Sequence, residues 1–272
     1  MEFYRAEIED KLCEPLTGKQ ILEIGPGQRL AQARYFAIDN EVVAVDLDEI
    51  IVGANPLALL RALRFNGAIR FFKTVARKLA GFDRRFIKEF TKQKPGIGRT
   101  RPRFLRRDAV DTGLKSESFD CVMSFSVFEH LPDPAAVLKE ISRLLRTGGI
   151  SFQVVHIYSS DSGAHDVRTF SDHRAGLPYW CHLQPDLSHL VASNCYVNRF
   201  TLAQWLIMFE GACPGVTVKY YRNDNAQSVA ALAALRTRGA LAEYSDNELL
   251  TNCLQFTWKK PDDFGAKSIR AN

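Results

Sequence analysis

Hydrophobic and polar residues follow one pattern along the chain, in which short apolar runs that end at a polar position are followed by stretches with helical spacing. The runs are rich in β-branched residues, which favour strands. They occupy Gln20–Ile24, Glu41–Asp46, the residues before Arg107, and Ser118 to Phe125. Strands that alternate with helices are typical of an α/β sheet, so the pattern predicts that class of fold.

Two helices have clear start signals in the second half of the chain. Asp133 can cap a helix with Pro134 in its first turn and the pair Gly148–Gly149 as its stop. Its one-sided apolar residues are Val137, Leu138, Ile141, Leu144 and Leu145. Thr201 can cap a second helix, whose inward residues are Leu202, Trp205, Leu206 and Phe209. Later strands are predicted at Ile150–Val155, Val216–Tyr221 and Cys253–Trp258.

The turn after the first strand suits a ligand that carries both a positive and a negative charge. Gly25 and Gly27 lack side chains that would block a close approach, and the start of the following helix offers unpaired N–H groups to an anion. A dinucleotide would require a third glycine at Leu30, and the Glu23 carboxylate would repel its pyrophosphate, so NAD is disfavoured. An ammonium beside Glu23 and a carboxylate on the loop fit better. The methionine end of S-adenosylmethionine has both groups.

Polar residues follow the next strands in a characteristic order. Asp46 ends the second strand, where Rossmann-like sheets bind ribose hydroxyls, Asp108 follows the third, and Glu129-His130-Leu131 follows the fourth. In this order of motifs the chain resembles the class I S-adenosylmethionine-dependent methyltransferases. It is most similar to the broad, methyltransferase type 11-like branch that acts on small molecules, lipids and glycans. The resemblance covers about residues 18–156 by motif order, and the remainder by architecture.

The resemblance implies that S-adenosylmethionine is the cofactor and S-adenosylhomocysteine the product. The matching positions are Glu23, Gly25 and Gly27 for the methionine part, Asp46 for the ribose diol, Asp108 and Ala109 beside the adenine, and Ser124 and Phe125 at the strand end. Arg29 departs from the family, which often has a third glycine there. Arginine has fewer accessible backbone conformations than glycine, so this departure bears on the conformation of the loop and not on the identity of the motif.

The resemblance also implies an α/β fold of defined layout: a Rossmann-like, doubly wound, seven-stranded sheet with an antiparallel last strand, helices on both faces and a basic helical insertion. With 272 residues, 46% of them hydrophobic, the chain can bury one substantial core, so we expect a single methyltransferase domain over 1–272. Within it we expect the insertion at 53–103, an acceptor-site loop at 156–200 and a polar tail at 261–272.

The interval between Asp46 and Asp108 is strongly basic. From Arg61 to Arg107 there are sixteen Lys or Arg and two acidic residues, a net charge of +14; because the whole chain carries +5, the remainder carries −9. Apolar residues recur at helical spacing, which predicts one or two basic amphipathic helices. They are Phe65, Ile69, Phe72, Val75, Leu79, Phe86 and Phe90. Such helices suit a cap packed on the domain, or docking to an anionic membrane or an acidic lipid-linked or glycan substrate. Nucleic acid is less favoured.

The loop from His156 to Phe200 is predicted to hold the methyl acceptor. It contains five of the six histidines and follows the fifth strand, so it starts at the sheet edge where doubly wound folds bind ligands. Methyl transfer to a hydroxyl needs a group that takes its proton, and histidine suits that role near neutral pH. The candidates are His156, then His165 with the adjacent Asp166, then His130. The alternative for each is a hydrogen-bonding role that orders the loop.

We expect neither a metal ion nor disulfides. His165, Asp166 and His173 match no helical or knuckle spacing of metal ligands. The six cysteines, at positions 13, 121, 181, 195, 213 and 253, form no Cys-x-x-Cys pair, and we expect reduced thiols.

The residues together predict a methyltransferase that acts on an oxygen of a small molecule, a sugar or a lipid-linked glycan. An RNA methyltransferase that uses the basic segment, and a non-catalytic S-adenosylmethionine-binding protein, are the alternatives. No apolar run approaches the roughly 18 residues of a membrane span, and the amino terminus lacks the shape of a secretion signal. We therefore expect a cytoplasmic protein, peripheral at the inner membrane surface if the basic segment docks there. No feature indicates an oligomeric state.

Overall fold

The computed structural model describes residues 1–51, 56–171, 174–193 and 195–262. Three predicted features fall wholly or partly outside the described residues: His173, residues 53–55 of the insertion and residues 263–272 of the tail.

Seven strands form one sheet. They are β1 (Gln20–Ile24), β2 (Glu41–Asp46), β3 (Arg103–Arg106), β4 (Phe119–Phe125), β5 (Leu145–His156), β6 (Thr217–Arg222) and β7 (Thr251–Lys259). Their order across the sheet is β3-β2-β1-β4-β5-β7-β6. β1 pairs in parallel with β2 and β4, and β2 pairs in parallel with β3, whereas β6 and β7 are antiparallel. This arrangement confirms the predicted fold class.

Nine α-helices accompany the strands among the described residues. They are α1 (Glu2–Leu12), α2 (Ala31–Phe36), α3 (Pro56–Asn66), α4 (Ala68–Leu79), α5 (Phe82–Gln93), α6 (Pro134–Leu144), α7 (Leu202–Ala212), α8 (Ala226–Thr237) and α9 (Asp246–Leu250). Of the helices that the structure describes, none is both long and apolar enough to cross a bilayer.

The chain divides into two compact units. The first comprises Met1–Phe125, Lys139–Phe152 and Lys259–Asn272, and the second comprises Ser126–Leu138 and Gln153–Trp258. The first unit contains β1 to β4 and the helices up to α5, and its fully buried residues include Ile21, Leu22 and Phe36. In the second unit, Trp205 and Phe209 of α7 are buried against Phe128, with ring centroids 6.4 and 5.3 Å from the Phe128 ring.

The sequence pattern predicts that the glycine pair Gly148–Gly149 ends a helix, and this prediction is wrong. α6 ends at Leu144, and both glycines lie in β5, which begins at Leu145. A Cβ atom on Gly149 would lie 2.9 Å from the Arg146 carbonyl oxygen and 3.1 Å from that of Asp120. Glycine is therefore required here because two backbone segments approach closely.

The basic segment forms three helices, α3, α4 and α5, where one or two are predicted. Gly67 and Gly81 separate them, with φ of 77° and 74°, a backbone conformation that continues no right-handed helix. A small core joins α3 and α4, in which Ala58 and Ala62 are buried beside Ile51. Most of the large apolar side chains are exposed instead: Leu57, Leu60, Leu63, Phe65, Ile69, Phe72, Leu79 and Phe82.

Candidate functional site

The predicted cofactor residues come together in the first unit, at the carboxyl ends of adjacent parallel strands. In the register of the sheet, Ile24 pairs with Val45 and with Ser124, and Asp46 pairs with Arg106. The strand ends that precede the loops therefore lie side by side. This is the edge at which doubly wound sheets bind ligands.

Glu23 carries an unsatisfied polar group at this edge. Its side chain is only 1% exposed, and its Oε2 atom has no hydrogen-bond partner. Burial raises the pKa of the carboxyl group from its ordinary value of 4.5 to about 8. A hydrogen bond from the Ala33 backbone N–H offsets this pKa shift only in part. A buried carboxyl group with one unsatisfied oxygen is costly for the fold, and a cationic ligand would satisfy it. An ammonium group matches it, because a cation removes the cost of ionising Glu23, and the site therefore fits the amino end of S-adenosylmethionine.

The loop after β1 leaves open space for a ligand. Gly25 and Gly27 have φ of 65° and 64°, and a Cβ on Gly27 would meet no atom within 4 Å. Leu30 also has a left-handed conformation, with φ of 53°, and α2 begins only after it. The Arg29 guanidinium lies 4.7 Å from the centroid of the Phe86 ring and 3.7 Å from the Asp83 carboxylate. Arg29 thus directs its side chain toward α5, and the loop keeps its shape without a third glycine.

The remaining predicted cofactor residues are ordered by local contacts. The Asp46 carboxylate accepts a hydrogen bond from the Asp48 N–H at 2.9 Å, and burial raises its pKa. Asp108 accepts one from the Val110 N–H at 3.0 Å. Ala109 and Ser124 are buried. Phe125 packs on Tyr4 of α1, with ring centroids 5.1 Å apart. Cofactor binding by Asp46, Asp108, Ala109, Ser124 and Phe125 stays a prediction. The sequence motifs gave no signal that Tyr4 of α1 packs on Phe125.

A basic cavity of about 810 Å³ also lies in the first unit. Its charged lining consists of one acid, Asp83, and six cations: Arg29, Arg34, Lys78, Arg84, Lys88 and Arg101. Apolar side chains complete it, among them Leu30, Leu59, Val75 and Ile87. The cavity can receive a molecule that is both acidic and apolar.

In the second unit the three predicted histidines lie together, with the His165 ring next to the other two rings and to the Glu129 carboxylate. The centroid of the His165 ring lies 4.7 Å from that of His130 and 4.8 Å from that of His156. The His165 Nε2 atom is 4.0 Å from a carboxylate oxygen of Glu129. His165 has a left-handed backbone, with φ of 54°, a strained conformation of the kind that often occurs at functional sites. We name these four residues the histidine cluster.

Buried neighbours hold the Glu129-His130 turn in place. Phe128, at the start of the turn, is fully buried and packs against Trp205 and Phe209 of α7. The Asn198 side-chain amide donates to the carbonyl oxygens of Phe128 and Leu131 at 2.8 and 3.0 Å, and the Asn198 N–H donates to that of Glu129 at 2.7 Å. The position of Glu129 is therefore set by contacts that are far apart in the sequence.

Burial changes the protonation of the histidine cluster. It lowers the pKa of His156 to about 3 and that of His165 to about 4, so both imidazoles are neutral at pH 7. It raises the pKa of Glu129 to about 8, partly offset by the nearby backbone N–H groups of Glu129 and His156 and the Ser126 hydroxyl. Reasoning from the sequence named His130 but missed Glu129 as a candidate. The Glu-His-Leu segment was its only signal, since burial is a tertiary property.

Asp166 lies in the loop but has another role. Its carboxylate binds the Arg168 guanidinium at 2.6 and 3.0 Å and accepts the Ala192 N–H at 2.8 Å. The Arg168 hydrogen bonds hold its pKa well below the ordinary range. These contacts order the loop. Among the hydrogen bonds described for Asp166, none goes to His165, so the structure gives no support for a catalytic pair of these two residues. His182 likewise binds a backbone atom, the Tyr158 carbonyl oxygen, at 2.8 Å.

Two comparisons with known proteins found matches, one with a family model and one with solved structures. The family model described as "Methyltransferase domain" matches residues 67–152. A structure from Galdieria sulphuraria with the provisional name sarcosine dimethylglycine methyltransferase has 13% identity and a TM-score of 0.51, and the match covers 96% of this chain and 85% of that one. Phosphoethanolamine N-methyltransferase 2 of Haemonchus contortus, solved with S-adenosyl-L-methionine, has 17% identity and a TM-score of 0.48 over 95% and 52% of the two chains. YcgJ of Bacillus subtilis has 15% identity and a TM-score of 0.46 over 96% and 100%. No curated protein matches the sequence.

Proposed function

We propose that this chain is a class I S-adenosylmethionine-dependent methyltransferase, and that it methylates an oxygen atom of a small molecule, a sugar or a lipid-linked glycan. The methyltransferase domain model that matches residues 67–152 supports the first part. The observation that supports an oxygen acceptor is the histidine cluster, in which the His165 ring lies beside the buried Glu129 carboxyl group and beside the rings of His130 and His156. A hydroxyl must lose its proton as the new C–O bond forms, so its methylation profits from such proton-accepting groups.

The residues at the sheet edge would bind and orient the cofactor, which when bound supplies an electrophilic methyl group on its sulfonium. Glu23 would hold the ammonium, and the backbone of the Gly25–Gly27 loop would hold the carboxylate. Asp46 would accept hydrogen bonds from both ribose hydroxyls. Methyl transfer is an in-line displacement, and holding the reactants in that alignment is the main contribution of such a site.

Single substitutions in the histidine cluster test the acceptor assignment. Glu129→Gln, His156→Asn and His165→Asn should each lower the rate of methyl transfer, by roughly 10²–10⁴-fold for a group that moves the proton, while the dissociation constant of S-adenosylmethionine stays unchanged. His189→Asn is the matched control, because His189 lies in the same loop but is exposed. If all three variants keep the full rate with the true acceptor, the assignment is wrong.

The two alternative functions are separated by product analysis. A non-catalytic binding protein would form no S-adenosylhomocysteine with any acceptor. An RNA methyltransferase would incorporate methyl groups into RNA and bind it in a salt-sensitive manner.

We further propose that helices α3 to α5 dock on an anionic membrane surface, which would place the protein peripherally on a membrane. Ile69, Phe72 and Leu79 are 74%, 65% and 84% exposed, in a segment with a net charge of +14. Large apolar side chains beside dense positive charge are the combination that binds anionic bilayers. The cavity of the first unit is also lined by basic and apolar side chains, and these would suit the acidic and apolar parts of a lipid-linked acceptor. Sedimentation with vesicles of anionic and of neutral lipid tests this proposal, and equal binding to both at low salt would contradict it.

A further inference from the structure

Five potential metal ligands lie close together around His165. In the part of the chain that the structure describes, two sets of three have ligand atoms within 4.8 Å of one another: Glu129 with His156 and His165, and His130 with His165 and Cys195. The residues come from three separate stretches of the sequence. Their spacing along the chain therefore gave no metal-binding pattern, and the expectation of no metal rested on that spacing alone.

Glu129 and His165 have coordination capacity that the protein does not use. Neither carboxylate oxygen of Glu129 makes a hydrogen bond of normal geometry, although the side chain is only 1% exposed. The His165 Nε2 atom is buried and also lacks a partner. Buried polar atoms are normally satisfied, and the His165 Nε2 atom lies 4.0 Å from a carboxylate oxygen of Glu129, so these three unsatisfied atoms mark a position that suits a cation.

One nitrogen on each of two rings has a hydrogen-bond partner, as in metal-binding histidines. The His156 Nε2 atom lies 2.9 Å from the Ser162 hydroxyl and 3.2 Å from the Ser160 hydroxyl, and a tautomer that donates from Nε2 leaves the Nδ1 lone pair to an ion. The His130 Nδ1 atom lies 2.7 Å from the Tyr196 carbonyl oxygen, so Nδ1 donates and Nε2 keeps its lone pair. Such outer hydrogen bonds set the tautomer and direction of ligating imidazoles.

We propose that Glu129, His156 and His165 bind one divalent transition-metal ion, whose open positions take the oxygen of the methyl acceptor. Two imidazoles and one carboxylate form a ligand set typical of zinc and iron(II) sites that keep positions open. Ligands at about 2.0–2.2 Å from the ion in tetrahedral geometry lie about 3.3–3.6 Å apart. The ligand atoms of the three residues lie within 4.8 Å of one another, so the side chains would have to draw together around the ion.

The role of the ion rests on the proposed function, since it concerns the acceptor of that reaction. A hydroxyl bound to a divalent ion loses its proton more readily than a free one. With the ion bound, the lone pairs of Glu129, His156 and His165 would be engaged by the metal, so these residues would act on the hydroxyl through the ion and not as proton acceptors themselves. The hydroxyl would give its proton to solvent, and its oxygen lone pair would form the C–O bond to the methyl group. The S–C bond breaks at the same time, and its electron pair stays on sulfur. The ion thus selects acceptors with a hydroxyl that can reach it.

Metal titration of the full-length protein tests the site without cofactor or acceptor. After treatment with a chelator, calorimetry with zinc chloride and elemental analysis should find one ion per chain, and cobalt(II) should show the visible absorption of a low-coordinate site. His165→Asn and Glu129→Gln should each weaken zinc binding at least tenfold, whereas His189→Asn should not change it. Circular dichroism and S-adenosylmethionine affinity establish that the variants are folded.

The outcomes separate this proposal from the proposed function. No stoichiometric binding of zinc, manganese or cobalt, or unchanged zinc binding in folded His165→Asn and Glu129→Gln variants, would overturn the metal site. Full-rate O-methylation by the chelator-treated protein would overturn the role of the ion and leave the proposed function intact. A bound ion together with a product methylated on nitrogen would keep the site and refute the oxygen acceptor.

Discussion

Glu23 should make the affinity for S-adenosylmethionine depend on pH. The pKa of this buried carboxyl is raised to about 8, so at pH 7 about nine in ten protein molecules carry it protonated. Only the ionised form offers a charge to the ammonium of the cofactor. Below pH 8 the dissociation constant should therefore rise about tenfold for each unit that the pH falls, which is about 1.4 kcal/mol per unit. Above pH 8 it should rise again, because the α-amino group of the cofactor, with an ordinary pKa of about 8, then loses the proton that gives it its charge.

Calorimetric titration between pH 6 and 8.5 measures this dependence. At pH 7 binding should release nearly one proton, which is detected by repeating the titration in buffers with different ionisation enthalpies. Glu23→Gln should abolish the proton release and the pH dependence below about pH 7, and should leave the rise of the dissociation constant above pH 8. Glu41→Gln, an exposed carboxyl at the start of β2, should change neither. Affinity that is constant across this range, with no proton release, would refute the role of Glu23.

The same shift should affect the stability of the cofactor-free protein. The native state binds the Glu23 proton more tightly than the unfolded state, whose pKa is near 4.5. The contribution of Glu23 to stability is fully present below pH 4.5 and is lost as the pH rises through 8. The melting temperature should therefore fall less steeply between pH 6 and 8.5 in Glu23→Gln than in the native protein.

Three further predictions concern other parts of the chain. Asp46→Ala should weaken S-adenosylmethionine binding by roughly 1–3 kcal/mol, because charged hydrogen bonds to the ribose are lost; unchanged affinity by calorimetry would remove Asp46 from the site. Ile69→Ser should reduce binding to anionic vesicles in a sedimentation assay, whereas Ile207→Ser, equally exposed on α7, should not; equal loss in both would contradict docking through the basic helices. Asp161→Ala should lower the free energy of unfolding by about 3–5 kcal/mol, since it leaves the Arg174 guanidinium without its buried partner, and Asp224→Ala, in an exposed ion pair, should have a much smaller effect. Urea denaturation measures both, and similar values for the two would refute the reasoning.

Features that depend on neighbours in the sequence were predicted well. β2 has the bounds of its apolar run, Glu41–Asp46. The Asp133 carboxylate accepts the Ala136 N–H at 3.0 Å, as a helix cap should, and Thr201 forms a complete capping box with Gln204. Short-range hydrogen bonds and side-chain alternation determine such features, so they can be recognised in the residue pattern.

Features that depend on distant residues were not predictable in this way. Gly149 resembles a helix stop, and only its closeness to the Asp120 backbone shows its place in a strand. Glu129 is an ordinary acid in the sequence, and its burial beside His165 arises from the packing of Phe128 and the hydrogen bonds of Asn198. The apolar residues of the basic helices carry a helical pattern whether they pack or face solvent.

Transfer of a carbon-13 methyl group from labelled S-adenosylmethionine tests the central claim most directly. The acceptors would be sugars, small hydroxyl compounds and lipid-linked glycans, and the methyl chemical shift in NMR distinguishes O-, N- and S-methyl products. We predict an O-methyl product in equal amount to S-adenosylhomocysteine, and its loss in Glu129→Gln with cofactor affinity retained. A product methylated only on nitrogen or sulfur, or full O-methylation by Glu129→Gln, would contradict the account.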